Sequence, residues 1–122
     1  MTKDLKKIIF GREGEQIAAE FLQKQGYKII AGNFHTPYGE IDIIARDARQ
    51  LVFVEIKTRS SDRFGSPQAA VTKSKLQKII KSAHIYMSAY GKQSFRIDVV
   101  AITFPETGDY KIEHLKNVSP YF

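Results

Sequence analysis

Two short runs rich in β-branched residues, Glu40–Ala45 and Leu51–Ile56, dominate the middle of the chain. The five positions between them are mostly polar, and this spacing predicts a β-hairpin. We place the centre of its turn between Ala48 and Arg49. The hairpin then determines which residues of its two strands stand opposite each other.

The remaining elements follow from apolar spacing and from the residue types that end helices. The predicted helices are Gly11–Gly26 and Thr72–Tyr90, and the further strands are Tyr27–Ala31, Ser94–Phe104 and Tyr110–Leu115. The resulting order, α-β-β-β-α-β-β, predicts an α/β fold in which helices flank a mixed β-sheet.

Two segments are predicted as loops because they are polar or rich in turn-forming residues, Gly32–Gly39 and Thr58–Gly65. Thr72 is predicted to cap the second helix. The apolar stripe of that helix is expected to face the core and comprises Leu76, Ile79, Ile80, Ala83, Met87 and Tyr90.

Length and composition narrow the class of protein. The chain has 122 residues, 43% of them hydrophobic, which predicts one globular domain spanning residues 1–122. It has no cysteine, so disulfide frameworks, zinc ribbons, iron–sulfur clusters and thiol nucleophiles are excluded. Its apolar runs are too short for a membrane span or a signal peptide, and we expect a cytoplasmic protein that does not bind membranes.

The positive charge of the chain is concentrated in one segment. The whole chain has 19 Lys and Arg against 13 Asp and Glu, a net charge of +6. Residues 56–81 contain seven basic residues and one acidic residue, Asp62, which accounts for the whole excess. Such a stretch is typical of proteins that bind a polyanion, usually nucleic acid. Charge alone equally allows a solvated, lysine-rich helix face.

Three carboxylates lie at positions that are unusual for charged residues, and each also has an ordinary structural explanation. Glu15 shares a helix face with apolar residues such as Ala18, although the helix dipole also favours a glutamate in a first turn. Asp42 interrupts a strand, where Asp is depleted, although outward-facing polar residues are common there. Glu55 and Lys57 share one strand face, although a surface Glu–Lys pair is an ordinary arrangement.

The hairpin register brings two of these carboxylates together. With the turn centred between residues 48 and 49, Asp42 faces Glu55. Ile44 then faces Phe53, so the shared surface is partly apolar. Opposed like charges there are costly unless a proton or a cation neutralises them, and oxygen ligands select Mg²⁺, Mn²⁺ or Ca²⁺. Lys57 could position a water, help to deprotonate it or stabilise the transition state, and these roles stay open.

In this arrangement the chain resembles the PD-(D/E)xK nuclease superfamily. The resemblance rests on Glu15 in a first helix, then residues 39–42 (GEID), then residues 53–59 (FVEIKTR). Ile41 stands where the superfamily's name-giving proline would be. The chain looks most like the YraN family of small bacterial predicted endonucleases, and it is similar to the archaeal Holliday junction resolvases, which cut branched DNA as dimers. Further matching segments are residues 14–19, 26–27, 33, 43–45 and 70–75.

The resemblance implies a fold, an activity and a set of site residues. The fold would be the restriction-endonuclease-like mixed β-sheet flanked by helices. The activity would be hydrolysis of DNA phosphodiester bonds with Mg²⁺ or Mn²⁺, on branched or structured DNA, by a homodimer as in the resolvases. Asp42 and Glu55 would ligate the metal, Lys57 would serve the attacking water, and Glu15 would complete the acidic site.

Several other polar residues have either a functional or a simple structural explanation. Gln68 could reach the site, but it more simply begins a helix. His35 and Tyr38 could contact nucleic acid, but exposure is the simpler explanation. Asp98 is expected to pair with Arg96 or to support the sheet, and we do not count it as catalytic. Four basic residues are predicted to contact the phosphate backbone: Arg59, Lys73, Lys75 and Lys78.

Three functions are therefore compatible with the sequence. The first is a metal-dependent endonuclease with Glu15, Asp42, Glu55 and Lys57 in its site. The second is a non-catalytic nucleic-acid-binding module on a nuclease fold. The third is an interaction protein in which the acidic residues form a salt-bridge network with Lys57.

Overall fold

A five-stranded sheet forms the centre of the molecule, and one helix packs on each of its faces. The computed structural model describes residues 3–60 and 71–118, with side chains from residue 13 onward. In chain order the elements are α1 (Lys3–Lys24), β1 (Lys28–Thr36), β2 (Gly39–Asp47), β3 (Gln50–Arg59), α2 (Lys73–Tyr90), β4 (Phe95–Thr103) and β5 (Lys111–Leu115).

The sheet is mixed, and its strands follow one another in the order β1-β2-β3-β4-β5. β3 and β4 pair in parallel, whereas the other three pairs are antiparallel. Parallel neighbours need a long crossover connection, and α2 provides it. The α/β class and the predicted element order are thus confirmed.

The hairpin of β2 and β3 has the predicted register. Asp47 pairs with Gln50 and Ile44 pairs with Phe53. Ala48 adopts a positive φ of 54° in the turn. The observed pairs run from Ile43–Val54 to Asp47–Gln50, so the predicted facing of Asp42 and Glu55 lies just beyond the last of them.

The core has two layers, one on each face of the sheet. Phe53 of β3 is buried against α2 residues such as Leu76. Its neighbour Val52 is buried on the other face, together with Leu22 of α1. This confirms the predicted alternation of side chains along β3, and it places Glu55 and Lys57 on the α2 side.

The prediction that β1 ends at Ala31 was wrong. β1 continues to Thr36, because β2 supplies backbone partners as far as the pair Thr36–Gly39. A partner strand satisfies the backbone N–H and C=O groups, and this outweighs the low strand propensity of Gly and Asn. The strand is irregular, with a register shift between Ile29 and Ala31 and a positive φ of 53° at Asn33.

The prediction of a loop from Thr58 onward was also wrong for its first two residues. β3 extends to Arg59, which pairs with Thr103 of β4. The crossover neighbour again supplies the hydrogen bonds that the polar sequence would not suggest. Residues 61–65 of the predicted loop lie outside the described residues.

The helix ends are close to their predicted positions, except at the start of α1, which lies at Lys3. α1 ends in a Schellman motif, with Gly26 at φ 93° and its N–H donating to Gln23 O at 3.0 Å. Thr72 caps α2 as predicted, since its side chain accepts from Lys75 N at 3.1 Å. In the described residues, no helix has the length and hydropathy needed to cross a membrane.

One position of the predicted α2 stripe was wrong. Tyr90 is 68% exposed, and Tyr86 takes the core position instead with 7% exposure. Tyr86 packs edge-on against Phe53 and stacks on Tyr90 with ring centroids 4.7 Å apart. The inner ring of this pair belongs to the core, and the outer ring shields it.

Candidate metal and nucleic-acid site

Asp42 lies where β2 departs from strict alternation. Ile41 and Ile44 both pack on the α2 face, whereas Ile43 packs on the α1 face. The backbone pairing of β2 with β3 ends at Ile43, and the Asp42 carboxylate accepts a hydrogen bond from Ile56 N–H at 2.8 Å. This bond anchors the carboxylate at the end of the hairpin, where both faces of the sheet can be reached.

Three carboxylates converge at this point. Glu15 of α1, Glu40 of β2 and Asp42 each offer an oxygen, and these oxygens lie within 4.8 Å of one another. Asn33 of β1 links two of them, since with its NH₂ group facing them it donates to Glu15 Oε1 at 3.0 Å and to Glu40. Glu40 and Asp42 lie two residues apart on β2, whereas Glu15 comes from α1, so the packing of α1 against β1 and β2 completes the cluster.

The electrostatics of this cluster show in the pKa of Asp42. Burial is the largest of the causes that together raise this pKa from 3.8 to about 7, and the charges of Glu55, Glu40 and Glu15 act in the same direction, against the opposing hydrogen bond from Ile56 N–H. The charged form of this carboxylate is therefore disfavoured by its surroundings. A cation bound here would relieve that cost.

Glu55 lies near this cluster but pairs with lysines. Its Oε1 is 2.9 Å from Lys75 Nζ and 3.8 Å from Lys57 Nζ, and its side chain is 12% exposed. Burial lowers the pKa of Lys57, and the adjacent Lys75 ammonium lowers it further. Burial also opposes charge on Lys75, but hydrogen bonds with Lys57 and Glu55 outweigh it and raise the pKa of Lys75.

Asp42 borders two cavities, one on each side of the sheet. The cavity toward α2 has a volume of about 280 Å³ and contains Glu40, Glu55 and Lys75 in its wall. The cavity toward α1 has a volume of about 330 Å³ and contains Glu15 and Asn33. A ligand in either cavity would therefore contact the same carboxylate.

Comparison with known proteins identifies the family. The sequence profile of the uncharacterised protein family UPF0102 matches residues 14–102. The chain belongs to the UPF0102 family. A UPF0102 protein of Thermodesulfovibrio yellowstonii is 46% identical over 112 residues, covering 91% of this chain and 96% of that protein. Relatives from Syntrophomonas wolfei and Beutenbergia cavernae are 45% and 40% identical, covering 88% and 92% of this chain and 94% and 97% of theirs.

The region shared with UPF0102 contains every carboxylate of the site. Of the predicted site residues, Glu15 and Asp42 come together directly, whereas Glu55 lines the α2-side cavity in its ion pair with Lys75. Lys57 is partly buried next to Glu55. The predicted constellation therefore lies at one end of the hairpin.

The predicted phosphate-contacting residues differ in their placement. Lys75 and Lys78 line the α2-side cavity. Lys73 is exposed at the start of α2. Arg59 donates from Nε to Thr103 Oγ1 at 3.2 Å at the end of β3. Gln68 lies outside the described residues.

Two residues of the site were missed from the sequence. Glu40 lies two positions before Asp42 in the GEID segment, and this spacing alone would have placed both carboxylates near one another along a strand. Asn33 was predicted to lie in a loop, and the sequence pointed to it only as one of the positions that match the resembled family. His35 is exposed as expected, with 77% of its side chain accessible. Its Nδ1 lies 3.4 Å from Glu40 Oε2.

Proposed function

We propose that this UPF0102 protein is a metal-dependent endonuclease that hydrolyses phosphodiester bonds in DNA, with branched or otherwise structured DNA as its substrate. The convergence of Glu15, Glu40 and Asp42 within 4.8 Å, beside Glu55 and Lys57, is the observation that carries the proposal. A domain that only binds nucleic acid has no need of such a costly acidic centre among its basic residues.

The donor chemistry fits a hard divalent cation. Mg²⁺ and Mn²⁺ prefer oxygen ligands, and the raised pKa of Asp42 reflects its burial and the neighbouring carboxylates, whose combined cost a cation would offset. Glu15, Glu40 and Asp42 would hold the ion, and Glu55 would join them on release from Lys75. When bound, the ion would stabilise the charge that develops on the phosphate oxygens.

Two lysines would have different roles, one as a proton acceptor and one as a phosphate contact. Because the pKa of Lys57 is lowered, a larger fraction of its side chain is the neutral amine than in an ordinary lysine at the same pH. Its Nζ can therefore accept a proton from the attacking water. Lys75 has a raised pKa, so it keeps its charge and can contact the phosphate together with Lys78. The new P–O bond forms to the water oxygen as the bond to the leaving sugar oxygen breaks.

The resemblance of residues 39–42 and 53–59 to the PD-(D/E)xK pattern supports the same proposal, as does the element order of the fold. We also propose that the fold is of the restriction-endonuclease type and that the protein is cytoplasmic. A homodimer is proposed by similarity to the resolvases.

The test is a cleavage assay on linear, nicked, flapped and four-way DNA with Mg²⁺, Mn²⁺ or chelator. We expect metal-dependent cleavage by the native protein. Asp42→Asn and Lys57→Met should each lower the rate by at least about 100-fold, the usual contribution of a positioned acid or base. Both replacements keep the size of the side chain, and thermal unfolding checks that each variant is folded.

Matched controls come from exposed residues outside the carboxylate cluster. Glu20 lies on the exposed side of α1 and Lys92 lies exposed after α2, so Glu20→Gln and Lys92→Met should cleave like the native protein. Native rates in both Asp42→Asn and Lys57→Met would overturn the mechanism. Salt-sensitive DNA binding without turnover in either metal would favour the non-catalytic binding module instead.

A further inference from the structure

We infer that Tyr38 forms a stacking platform for an unpaired DNA base next to the phosphate bound at the carboxylate cluster. The inference rests on the proposed function, because it takes DNA as the ligand. It goes beyond that function in naming the feature of the DNA that this protein selects: a base free of its partner beside the reacting phosphate.

The position of Tyr38 is the first argument. Tyr38 lies in the turn between β1 and β2, and its side chain is 48% exposed although it is aromatic. It lines the same cavity as Asp42, Glu55 and Lys78. Because its ring is exposed beside this charged cavity, Tyr38 is accessible to a ligand that binds there.

The turn that carries Tyr38 is fixed to the body of the protein. Thr36 Oγ1 donates to Gly39 O at 2.9 Å and accepts from Tyr38 N–H at 3.1 Å. The same hydroxyl is 2.7 Å from Ser82 Oγ, which is buried on α2. The ring is therefore presented on a braced turn, so little conformational entropy is lost when a base stacks on it.

The charge around the ring suits nucleic acid. Lys81 Nζ lies 5.1 Å from the centroid of the Tyr38 ring, and Lys78 lies in the cavity wall. Lys81 is exposed, so its ammonium can move to a phosphate while a base takes its place on the ring. An aromatic ring interleaved with lysines is the arrangement by which proteins hold single-stranded nucleic acid.

The ring can select DNA structure because paired bases are already stacked. A base within a duplex would have to leave its neighbours to reach Tyr38, whereas a base in a flap, a gap or a branch point is free to do so. Tyr38 would thus favour structured DNA over plain duplex without reading its sequence.

The experiment measures DNA binding with Ca²⁺ in place of Mg²⁺, so that a hard cation is available to the carboxylates while cleavage is suppressed. The DNAs are a flapped oligonucleotide with 2-aminopurine at the unpaired position beside the junction and a matched full duplex. We expect the native protein to change the 2-aminopurine fluorescence. Tyr38→Leu should raise the Kd for flapped DNA by roughly 5- to 100-fold, the effect of losing one base–aromatic stack, and leave the Kd for duplex within about twofold.

Two further variants separate stacking from other effects. Tyr38→Phe keeps the ring and should bind flapped DNA like the native protein. Tyr90→Leu removes a more exposed tyrosine roughly 22 Å along α2 from Lys75, and it should also bind normally.

The outcomes distinguish this inference from the proposed function. If the native protein binds none of the DNAs, the DNA substrate is wrong and the stacking platform is wrong with it. If it binds DNA but Tyr38→Leu weakens neither complex, or weakens both equally, the platform alone is overturned and the nuclease proposal stands.

Discussion

At the scale of single residues, two buried or partly buried aspartates have opposite electrostatic environments. Asp42 lies among carboxylates, and its pKa is raised to about 7. Asp98 is fully buried, but its pKa is lowered, because bonds from His114, Arg96 and Asn117 N–H outweigh the effect of burial. The surroundings of Asp42 disfavour its negative charge, which a bound cation would stabilise. The negative charge of Asp98 is already stabilised by groups of the protein itself.

The pH dependence of stability should reveal the strain at Asp42. The unfolded carboxyl has a pKa near 3.8, so between about pH 4 and 7 the folded state binds the extra proton and loses relative stability as pH rises. We expect Asp42→Asn, which can still accept from Ile56 N–H, to be more stable than the native protein at pH 8 without metal. The gain should be about 2–4 kcal/mol and should shrink toward pH 4.

Urea unfolding in chelator at pH 4.5 and pH 8 measures this difference. Asp109→Asn serves as the control, because Asp109 is exposed and its removal should change stability little at either pH. Mg²⁺ added at pH 8 should stabilise the native protein but not Asp42→Asn. An equal difference between Asp42→Asn and the native protein at both pH values would contradict the charge repulsion.

Asp98 should be a structural residue. Its carboxylate contacts Arg96 Nε at 3.0 Å, His114 Nε2 at 2.8 Å and Asn117 N at 2.9 Å, and it accepts from Tyr27 OH at 3.2 Å. Asp98→Asn would leave the Arg96 guanidinium, 11% exposed, without its main counter-charge. We expect a loss of about 3–5 kcal/mol in the free energy of unfolding at pH 7.

The loss at Asp98 is measured by urea unfolding at neutral pH. Because the pKa of Asp98 is lowered, its stabilisation is complete at neutral pH and is lost only as pH falls below about 4. A loss below about 1 kcal/mol would show that the buried charge network contributes little.

At the scale of elements, the contact of α1 with β3 places Glu15 in the site. Gly14 precedes Glu15 and packs so closely that a methyl group there would overlap Thr58 Cγ2. The absence of a side chain at Gly14 thus sets the distance between helix and sheet. The position of the neighbouring carboxylate depends on that distance.

Gly14→Ala should therefore destabilise the protein. Alanine would favour the helix by about 1 kcal/mol, but overpacking costs about 1–3 kcal/mol, and we expect a net loss. In the Thr58→Ser background the overlapping methyl is absent, so the same replacement should be neutral or stabilising. Urea unfolding of the four proteins of this double-mutant cycle decides the matter, and an equal loss in both backgrounds would exclude the overlap as the cause.

At the scale of the whole molecule, an acidic cluster is set within a basic surface. The net charge of +6 resides in residues 56–81, and α2 carries Lys75 and Lys78 to the wall of the cavity that contains Asp42. Basic residues around an acidic centre attract a polyanion as a whole, while the carboxylates repel its phosphates locally. The cation that we propose at the centre would offset this local repulsion.

This charge distribution predicts salt-dependent binding to DNA. Each phosphate contact contributes about 0.9 to the slope of log K against log salt concentration, so Lys73→Ala and Lys78→Ala should each reduce the slope by about 1. Lys92→Ala, two residues beyond the end of α2, should leave the slope unchanged. Titrations of labelled duplex at several salt concentrations give the slopes, and equal slopes for all three variants would argue against a phosphate-binding role for Lys73 and Lys78.

Local patterns were sufficient for much of the fold. The turn at residues 48–49 determined the hairpin register, and Thr72 determined the start of α2, because hydrogen bonds within a few residues decide these features. The extension of β1 to Thr36 could not be predicted in this way, because its hydrogen bonds come from β2.

The sequence by itself determined the element order, the alternation of β3 and the identity of Glu15, Asp42, Glu55 and Lys57 as notable residues. Only the tertiary structure added Glu40 and Asn33 to the cluster and directed Glu55 toward Lys75. The physical reason is range. Periodicity and capping act over a few residues, whereas the distances between charged groups on different elements depend on how closely helices and strands pack.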